Sequence, residues 1–335
     1  MGIYINTFFC GIIPQGSVKS IMNKSFDFLL AVAKSYYIDE ITKSEIAALY
    51  KISRPTVSSI LKECRQKGIV EIRLNDNAPH NSALARQLVK TYGLQTASVI
   101  PNEKDDELTL TKTSYFASKY FTSLLKDRLR IGISWGNSLY HMVQEMSQSP
   151  INGGEVIQLM GGLGGSAILP DGSEVARIFA SKLNTRCYTF LAPLFVQSET
   201  LKKALLTEKR IRETYERTKN LDIALVGISS DDPKESGLVR AGFILPEEAA
   251  EIYKTGSCCD LCGYHYDEHG RLMDILANRR IVGIDAQDFL NIPRRIGIAC
   301  GVAKANAIKA VLRGKLVTDI FTDEATAAMI LSGSR

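Results

Sequence analysis

Between Phe26 and Tyr37 the apolar residues Phe28, Leu29, Leu30, Val32, Ala33 and Tyr36 recur at helical spacing, which predicts a supporting helix. Thr42 and Glu45 then stand three apart, the Ser/Thr-x-x-Glu capping box in which each side chain satisfies a backbone N–H left over by the first turn. Ile46, Ala47 and Leu49 give the helix that follows an inner face, with small Ala47 where a second helix would cross closely. Lys51 and Ile52 fall in a short turn. Ser53 is a good N-cap for the next helix, and Pro55 is tolerated in a first turn whose N–H groups have no intrahelical partner. Val57, Ile60, Leu61 and Cys64 point inward at i, i+3, i+4 and i+7. After Gly68, the alternation of Ile69, Glu71, Ile72, Arg73 and Leu74 reads as a short strand.

The outer face of the third helix carries Arg54, Thr56, Ser58, Ser59, Lys62 and Arg65, hydrogen-bonding and cationic groups suited to a major groove. Thr42 to Lys67 is thus read as a helix-turn-helix, winged by the strand after Gly68. Arg54, Pro55, Thr56, Ser58, Ser59, Lys62 and Arg65 are its DNA-binding residues. Arg54, Thr56, Ser58 and Ser59 are expected to read bases, and Lys62 and Arg65 to grip phosphates. Lys51 occupies a turn position that commonly holds glycine, because the chain there turns left-handed.

Beyond the polar segment Asn75 to Asn81 the pattern changes to alternating strands and helices. Strands are expected at Ala97–Ile100, Arg130–Ser134, Val156–Met160, Cys187–Leu191, Ile223–Val226, Cys258–Cys262, Arg280–Gly283, Arg295–Cys300 and Leu316–Thr318. Helices between most of them predict an α/β domain with a largely parallel sheet. Ligands of such sheets bind beyond the carboxyl ends of the strands. Two turns lie there. Ser134, Trp135, Gly136, Asn137 and Ser138 lead into a helix beginning near Leu139 and can aim N–H groups and a hydroxyl at an anion. Cys300 to Lys304 lead into a second helix, with Lys304 in its first turn, where a cation opposes the helix dipole unless an anion is present. Both turns also read as ordinary strand-to-helix connections.

The chain has 335 residues, enough for two domains, and 45% hydrophobic with 23% charged residues argues against disorder. No segment approaches the ~20 apolar residues of a membrane span. Phe8 to Pro14 lacks the flanks of a signal peptide. Seven cysteines without regular spacing fit reduced thiols, so a cytoplasmic location is expected. The net charge of +5 is too small to establish nucleic-acid binding, but Arg54, Lys62, Arg65 and Lys67 against Glu63 concentrate it in one helix. Gly161, Gly162, Gly164 and Gly165 do not match the dinucleotide spacing. Cys258, Cys259, Cys262 and His265 resemble a metal cluster, yet Cys258 and Cys259 fall on opposite faces of a strand and no second cysteine pair lies at zinc-site spacing. No metal or other cofactor is expected. Asp260 is the polar exception in that strand, and a lone carboxylate among apolar neighbours is usually hydrogen-bonded or functional.

The run ISRPTVSSILKECRQKGIVEI, Ile52 to Ile72, resembles the SorC family of sugar-binding transcription regulators. The blocks RIGISWGNSL (Arg130 to Leu139), VIQLMGGLGG (Val156 to Gly165), LDIALVGI (Leu221 to Ile228), GSCCDLCGYHYDEHG (Gly256 to Gly270) and the long run from Ile296 to Leu331 follow in the family's order. The resemblance covers nearly everything after Asn23. It implies a leader over 1–22, with Met22 as an alternative start, a DNA-binding domain over 23–75, a linker over 76–82 and an effector and oligomerisation domain over 83–335. The family's effector domain resembles sugar-phosphate isomerases. By that likeness Gly136, Asn137, Ser138 and Lys304 hold the phosphate of a phosphorylated sugar, and Gln158, Gly161, Gly162 and Asp260 line the sugar, whose identity depends on side-chain placement around Gln158, Arg177 and Asp260. Operator DNA, a sugar phosphate and further copies in a tetramer are the expected partners. Two other readings are weighed: a phosphosugar isomerase using Asp260, Asp285 or Lys304, and a helix-turn-helix that docks on protein. Nothing in the spacing pairs the first set, and the polar face from Arg54 to Arg65 opposes the second.

Overall fold

The computed structural model describes residues 2–5, 26–73, 82–162 and 171–332. The chain divides into two compact units, Met1–Ala78 and Pro79–Arg335. In the first, α1 (Phe26–Tyr37), α2 (Lys43–Tyr50) and α3 (Arg54–Gln66) enclose one apolar cluster built from Leu29, Val32, Ala33, Ile46, Val57, Ile60, Leu61 and Cys64. Both arms of the capping box form: Glu45 N–H donates to the Thr42 hydroxyl at 3.3 Å, and Thr42 N–H to Glu45 Oε2 at 2.9 Å. Lys51 ends α2 in the left-handed region at φ 54°, and Ser53 caps α3 by accepting from Thr56 N–H at 3.2 Å.

Leu49 departs from its expected inner place and is 62% exposed. Ile46 and Tyr50 take the inward positions one turn apart, Tyr50 meeting Phe28 edge-on at 5.5 Å, so the helix is rotated away from Leu49. The strand expected after Gly68 is β2 (Val70–Arg73), paired antiparallel with β1 (Gly2–Ile5). Of the expected leader, Gly2–Ile5 forms β1. Residues 6–22, Leu74, the linker residues 76–81, and Gly164 with Gly165 lie outside the described residues.

The larger unit has a seven-stranded parallel sheet. Its strands are β3 (Thr96–Ile100), β4 (Arg130–Ile133), β5 (Glu155–Gln158), β6 (Arg186–Tyr188), β7 (Ile223–Gly227), β11 (Arg294–Ile298) and β12 (Asp319–Asp323), in the order β3-β12-β11-β7-β4-β5-β6. A small antiparallel sheet has the order β10-β9-β8, from β8 (Ser229–Ser230), β9 (Cys259–Leu261) and β10 (Tyr264–Tyr266). Among the helices are α4 (Ser82–Tyr92), α5 (Asp106–Ser123), α6 (Asn137–Glu145) and α7 (Gly172–Leu183). The central strands read as near-continuous apolar runs because both sheet faces are covered: Ile131, Ile133, Val156, Leu225, Ile296 and Ile298 join one cluster, and Val99, Ile157, Val226 and Ile320 the other.

Two expected strands are corrected. Arg280–Gly283 is not a strand: Ile281 and Gly283 make only isolated bridges, to Phe195 and Met160, with partner segments too short to form a ladder. Leu316–Thr318 leads into the strand rather than forming it, because Lys315 turns left-handed at φ 52° and the chain becomes extended only at Asp319.

Candidate functional site

On the exposed side of α3, Arg54, Pro55, Thr56, Ser59, Lys62 and Arg65 are solvent-accessible and Ser58 is half-buried. Arg54, Ser58 and Lys62 follow at i, i+4 and i+8, one stripe of a helix, and Pro55, Ser59 and Lys62 the adjacent one. The Thr56 hydroxyl is already 2.7 Å from that of Ser53, so it is shared with the cap.

In the larger unit the chain runs from β4 outward through β5 to β6, and returns to the other side of β4 at β7. A crevice opens beyond the carboxyl ends where strand order reverses, the usual ligand position in open α/β sheets. A cavity of 420 Å³ lies there. Its floor comes from Ser134 to Ser138 after β4, Gly227 to Ser229 after β7 and Cys300 to Lys304 after β11.

The first turn leads into a helix as expected, but that helix starts earlier. Gly136 takes φ 123°, which admits only glycine without strain, and α6 begins at Asn137 with no side chain capping its first amides. Ser138 is buried, with its carbonyl held by the Ser114 hydroxyl at 3.0 Å. The second turn passes through Gly301 at φ 101° and a short 3-10 helix, Val302–Lys304, before the helix Ala305–Arg313. Lys304 makes no ion pair among the described residues. Burial holds its ammonium below the usual lysine range, and the nearby Arg240 guanidinium adds to this, against the opposing pull of the Cys300 thiol. Burial pushes that thiol up to about 12. An uncapped helix start and a cation without an ion pair among the described residues thus line the same cavity, groups that favour an anion.

Asp260 enters the cavity from the small sheet, 5% exposed, between its cross-strand neighbours Ser229 and His265. Burial, reinforced by Asp231, raises its carboxyl to about 6, while His265, the Ser229 hydroxyl and Gly263 N–H pull the other way. Its Oδ2 has no hydrogen-bond partner among the described residues. His265 is buried with its Nδ1 donating to Asp231 at 3.0 Å, and Asp231 also accepts from the Ser257 hydroxyl. Burial opposes the imidazolium, yet Asp231 prevails and the His265 pKa is raised. Cys258 Sγ lies 3.6 Å from the Asn306 carbonyl, and Cys262 at φ 53° turns the chain into β10.

Gly136, Asn137, Ser138, Asp260 and Lys304 therefore meet at one cavity. Gln158, Gly161, Gly162 and Arg177 are not among its described lining residues. Gln158 is fully buried at the end of β5, its Oε1 accepting from Phe190 N–H at 3.2 Å. Gly161 donates to Val282 O and Gly162 to Ala192 O, which ties this segment to its neighbours. Arg177 is exposed on α7. The wall also includes Asn102, Asp106, Thr109, Trp135, Ser229, Glu235 and Arg240. Asn102 follows a strand that was recognised, so the rule about carboxyl ends could have found it. Arg240 sits on a four-residue helix, Gly237–Arg240, that leaves no periodic signal.

A helix-turn-helix with a cationic outer face and a parallel α/β unit with a small-molecule cavity define a ligand-responsive transcription regulator. Residues 76–332 match a protein family described as "Putative sugar-binding domain", and the chain belongs to that family of SorC/DeoR-type regulators. The deoxyribonucleoside regulator of Bacillus subtilis is 30% identical over 306 residues, 90% of this chain and 96% of its own. The sorbitol operon regulator of Klebsiella pneumoniae is 26% identical over 317 residues, 90% and 97% of the two chains. The crystal structure of full-length SorC from Klebsiella pneumoniae aligns with a TM-score of 0.69 at 24% identity, over 91% of this chain and 98% of that one, a likeness of fold. The curated relatives carry regulator names, which supports regulation over isomerisation. Among the described residues no helix is long and apolar enough to cross a membrane.

Proposed function

We propose that the chain is a cytoplasmic regulator of a carbohydrate-utilisation operon, and that a phosphorylated sugar in the α/β unit controls its grip on operator DNA. In this reading residues 23–75 bind DNA through Arg54, Pro55, Thr56, Ser58, Ser59, Lys62 and Arg65, residues 76–82 link, and 83–335 sense and assemble. Gly136, Asn137, Ser138 and Lys304 take the phosphate. Asp260 meets the sugar hydroxyls, and Gln158, Gly161 and Gly162 support the sugar end. One reading head buries too little surface for tight specific binding, which supports a homo-oligomer, a tetramer by resemblance.

The observation that carries this reading is the meeting of an uncapped helix start with the unpaired Lys304 in one cavity at the reversal of strand order. Trp135, the only tryptophan, lines that cavity with its ring tilted against Phe243 at 4.9 Å between centroids, so its fluorescence reports occupancy. Titration with a panel of sugar phosphates, alongside gel shifts on the protein's own upstream DNA, is the test. One sugar phosphate should quench or shift Trp135 and change the gel-shift midpoint at the same concentration. No response of Trp135 to any phosphorylated sugar, or no shift of DNA under any condition, refutes it.

A further inference from the structure

The turn carrying Lys304 has no side-chain cap of its own and is held from outside. Gly301 N–H donates to Asp323 Oδ2 at 2.8 Å, and the same oxygen accepts from the Thr326 hydroxyl at 2.6 Å. Asp323 Oδ1 accepts from Thr326 N–H at 2.9 Å and from the Asn102 amide at 3.0 Å. Asn102 Oδ1 in turn accepts from Ala325 N–H at 2.8 Å. Burial by itself would raise the fully buried Asp323 carboxyl, but the hydrogen bonds from Thr326, Gly301 and Asn102 bring it below the usual range. It stays ionised at the junction of three segments.

Those segments are two neighbouring parts of the cavity wall and a helix. Asn102 lines the cavity just before α5, whose first turns add Asp106 and Thr109. Gly301 and Lys304 line it from the turn after β11. The helix Glu324–Ser332 starts at Asp323, and its Ala327, Ile330 and Leu331 share one apolar cluster with Ala85 and Leu88 of α4. That is the first helix beyond the unit boundary at Ala78. Asp323 takes the Thr326 N–H and Asn102 takes the Ala325 N–H, so the first turn of Glu324–Ser332 is capped from both residues. Asn102 is itself exposed and outside any helix or strand. Besides that cap, its amide reaches the carboxylate that holds Gly301 and so joins the two wall segments.

We propose that Asp323 and Asn102 are positioning residues for the effector: they lock the Lys304 turn to the start of α5, so that both walls close on the anion as one body. The same carboxylate then carries the displacement into Glu324–Ser332 and on to α4. The inference rests on the reading that this cavity seats a phosphate.

The test uses the full-length protein, inorganic phosphate as probe and Trp135 fluorescence as readout. Asn102→Ala removes both arms and is expected to weaken phosphate binding by roughly fivefold, the worth of about one net hydrogen bond, and to lower the unfolding midpoint through the lost Ala325 cap. Asn102→Asp keeps the acceptor for Ala325 but sets a second carboxyl against Asp323. Its dissociation constant relative to wild type should be raised at about pH 8 and return toward wild type at about pH 5.5, where a shared proton replaces the lost amide hydrogen. A purely structural role predicts no such recovery. Wild-type protein that ignores phosphate overturns the cavity reading and this inference with it. Wild type that binds, with Asn102→Ala within twofold of it or Asn102→Asp equally weak at both pH values, overturns the inference alone.

Discussion

Replacing Lys304 by Met should change two measurements in opposite directions. The aliphatic stem keeps its packing while the ammonium is lost. In the liganded protein that ammonium would make one or two charge-assisted hydrogen bonds to phosphate oxygens, each worth roughly 1.5–3 kcal/mol. Loss of one such bond weakens sugar-phosphate binding about 10- to 150-fold. In the free protein the sign reverses. Lys304 is desolvated, makes no ion pair among the described residues and lies near Arg240, so its folded-state pKa is lowered. For a base this means the charged form is less favourable folded than unfolded. The penalty is present at neutral pH and disappears as pH rises through the folded pKa toward the unfolded value near 10.5. Lys304→Met should therefore unfold at a higher temperature than wild type without ligand at pH 7, and the gain should shrink toward pH 10. Trp135 titration gives the affinity and a thermal melt the stability. Binding within twofold of wild type would refute the assignment of Lys304 as counter-charge, and a lower ligand-free midpoint would refute the desolvation argument.

Three further outcomes follow from the geometry. Thr42→Ala should destabilise the helix-turn-helix unit by about 1 kcal/mol through loss of the α2 cap, read by urea unfolding; no change would mean the cap adds nothing in context. Asp260 has a folded pKa raised to about 6, so its ionisation costs stability as pH rises through the window from the model-peptide value of 3.8 to about 6. Asp260→Asn should accordingly gain midpoint over wild type at pH 8 and not at pH 4, and an equal difference at both would contradict this. Lys62→Ala should weaken operator binding across sequences and reduce the salt slope by about 1, measured by titrating affinity against salt; an unchanged slope would remove Lys62 from the phosphate contacts.

The DNA-reading element was legible almost residue by residue because its signals are local. A capping box, a serine cap and an i, i+3, i+4, i+7 stripe each act within a turn or two, and α1 spans Phe26–Tyr37 as the periodicity indicated. Leu49 shows where this stops: local spacing allows it inward, and the seating of Tyr50 against Phe28 turns it out. The two turns at Gly136 and Gly301 were also legible, since glycine at the end of an apolar strand marks a backbone path that other residues resist.

Other features required partners far away in sequence. The strand Asp319–Asp323 carries a carboxylate at each end, which by composition belongs in water. Both are fully buried, one paired with Arg294 at 2.8 Å and the other with Gly301, Thr326 and Asn102. The hairpin of β9 and β10 looked like a single thiol-rich strand until Cys262 and Gly263 turned it, which set His265 beside Asp260. By itself the sequence determined the helix-turn-helix, the α/β class and the glycine turns at Gly136 and Gly301, because those depend on short-range capping, periodicity and backbone freedom. Only the tertiary structure decided that Asn102 and Arg240 share a cavity with Asp260 and Lys304, and that Asp323 bonds both Asn102 and Gly301. Those groups are brought together by strand order, and the balance between desolvation and hydrogen bonding that sets their charge exists only once they meet.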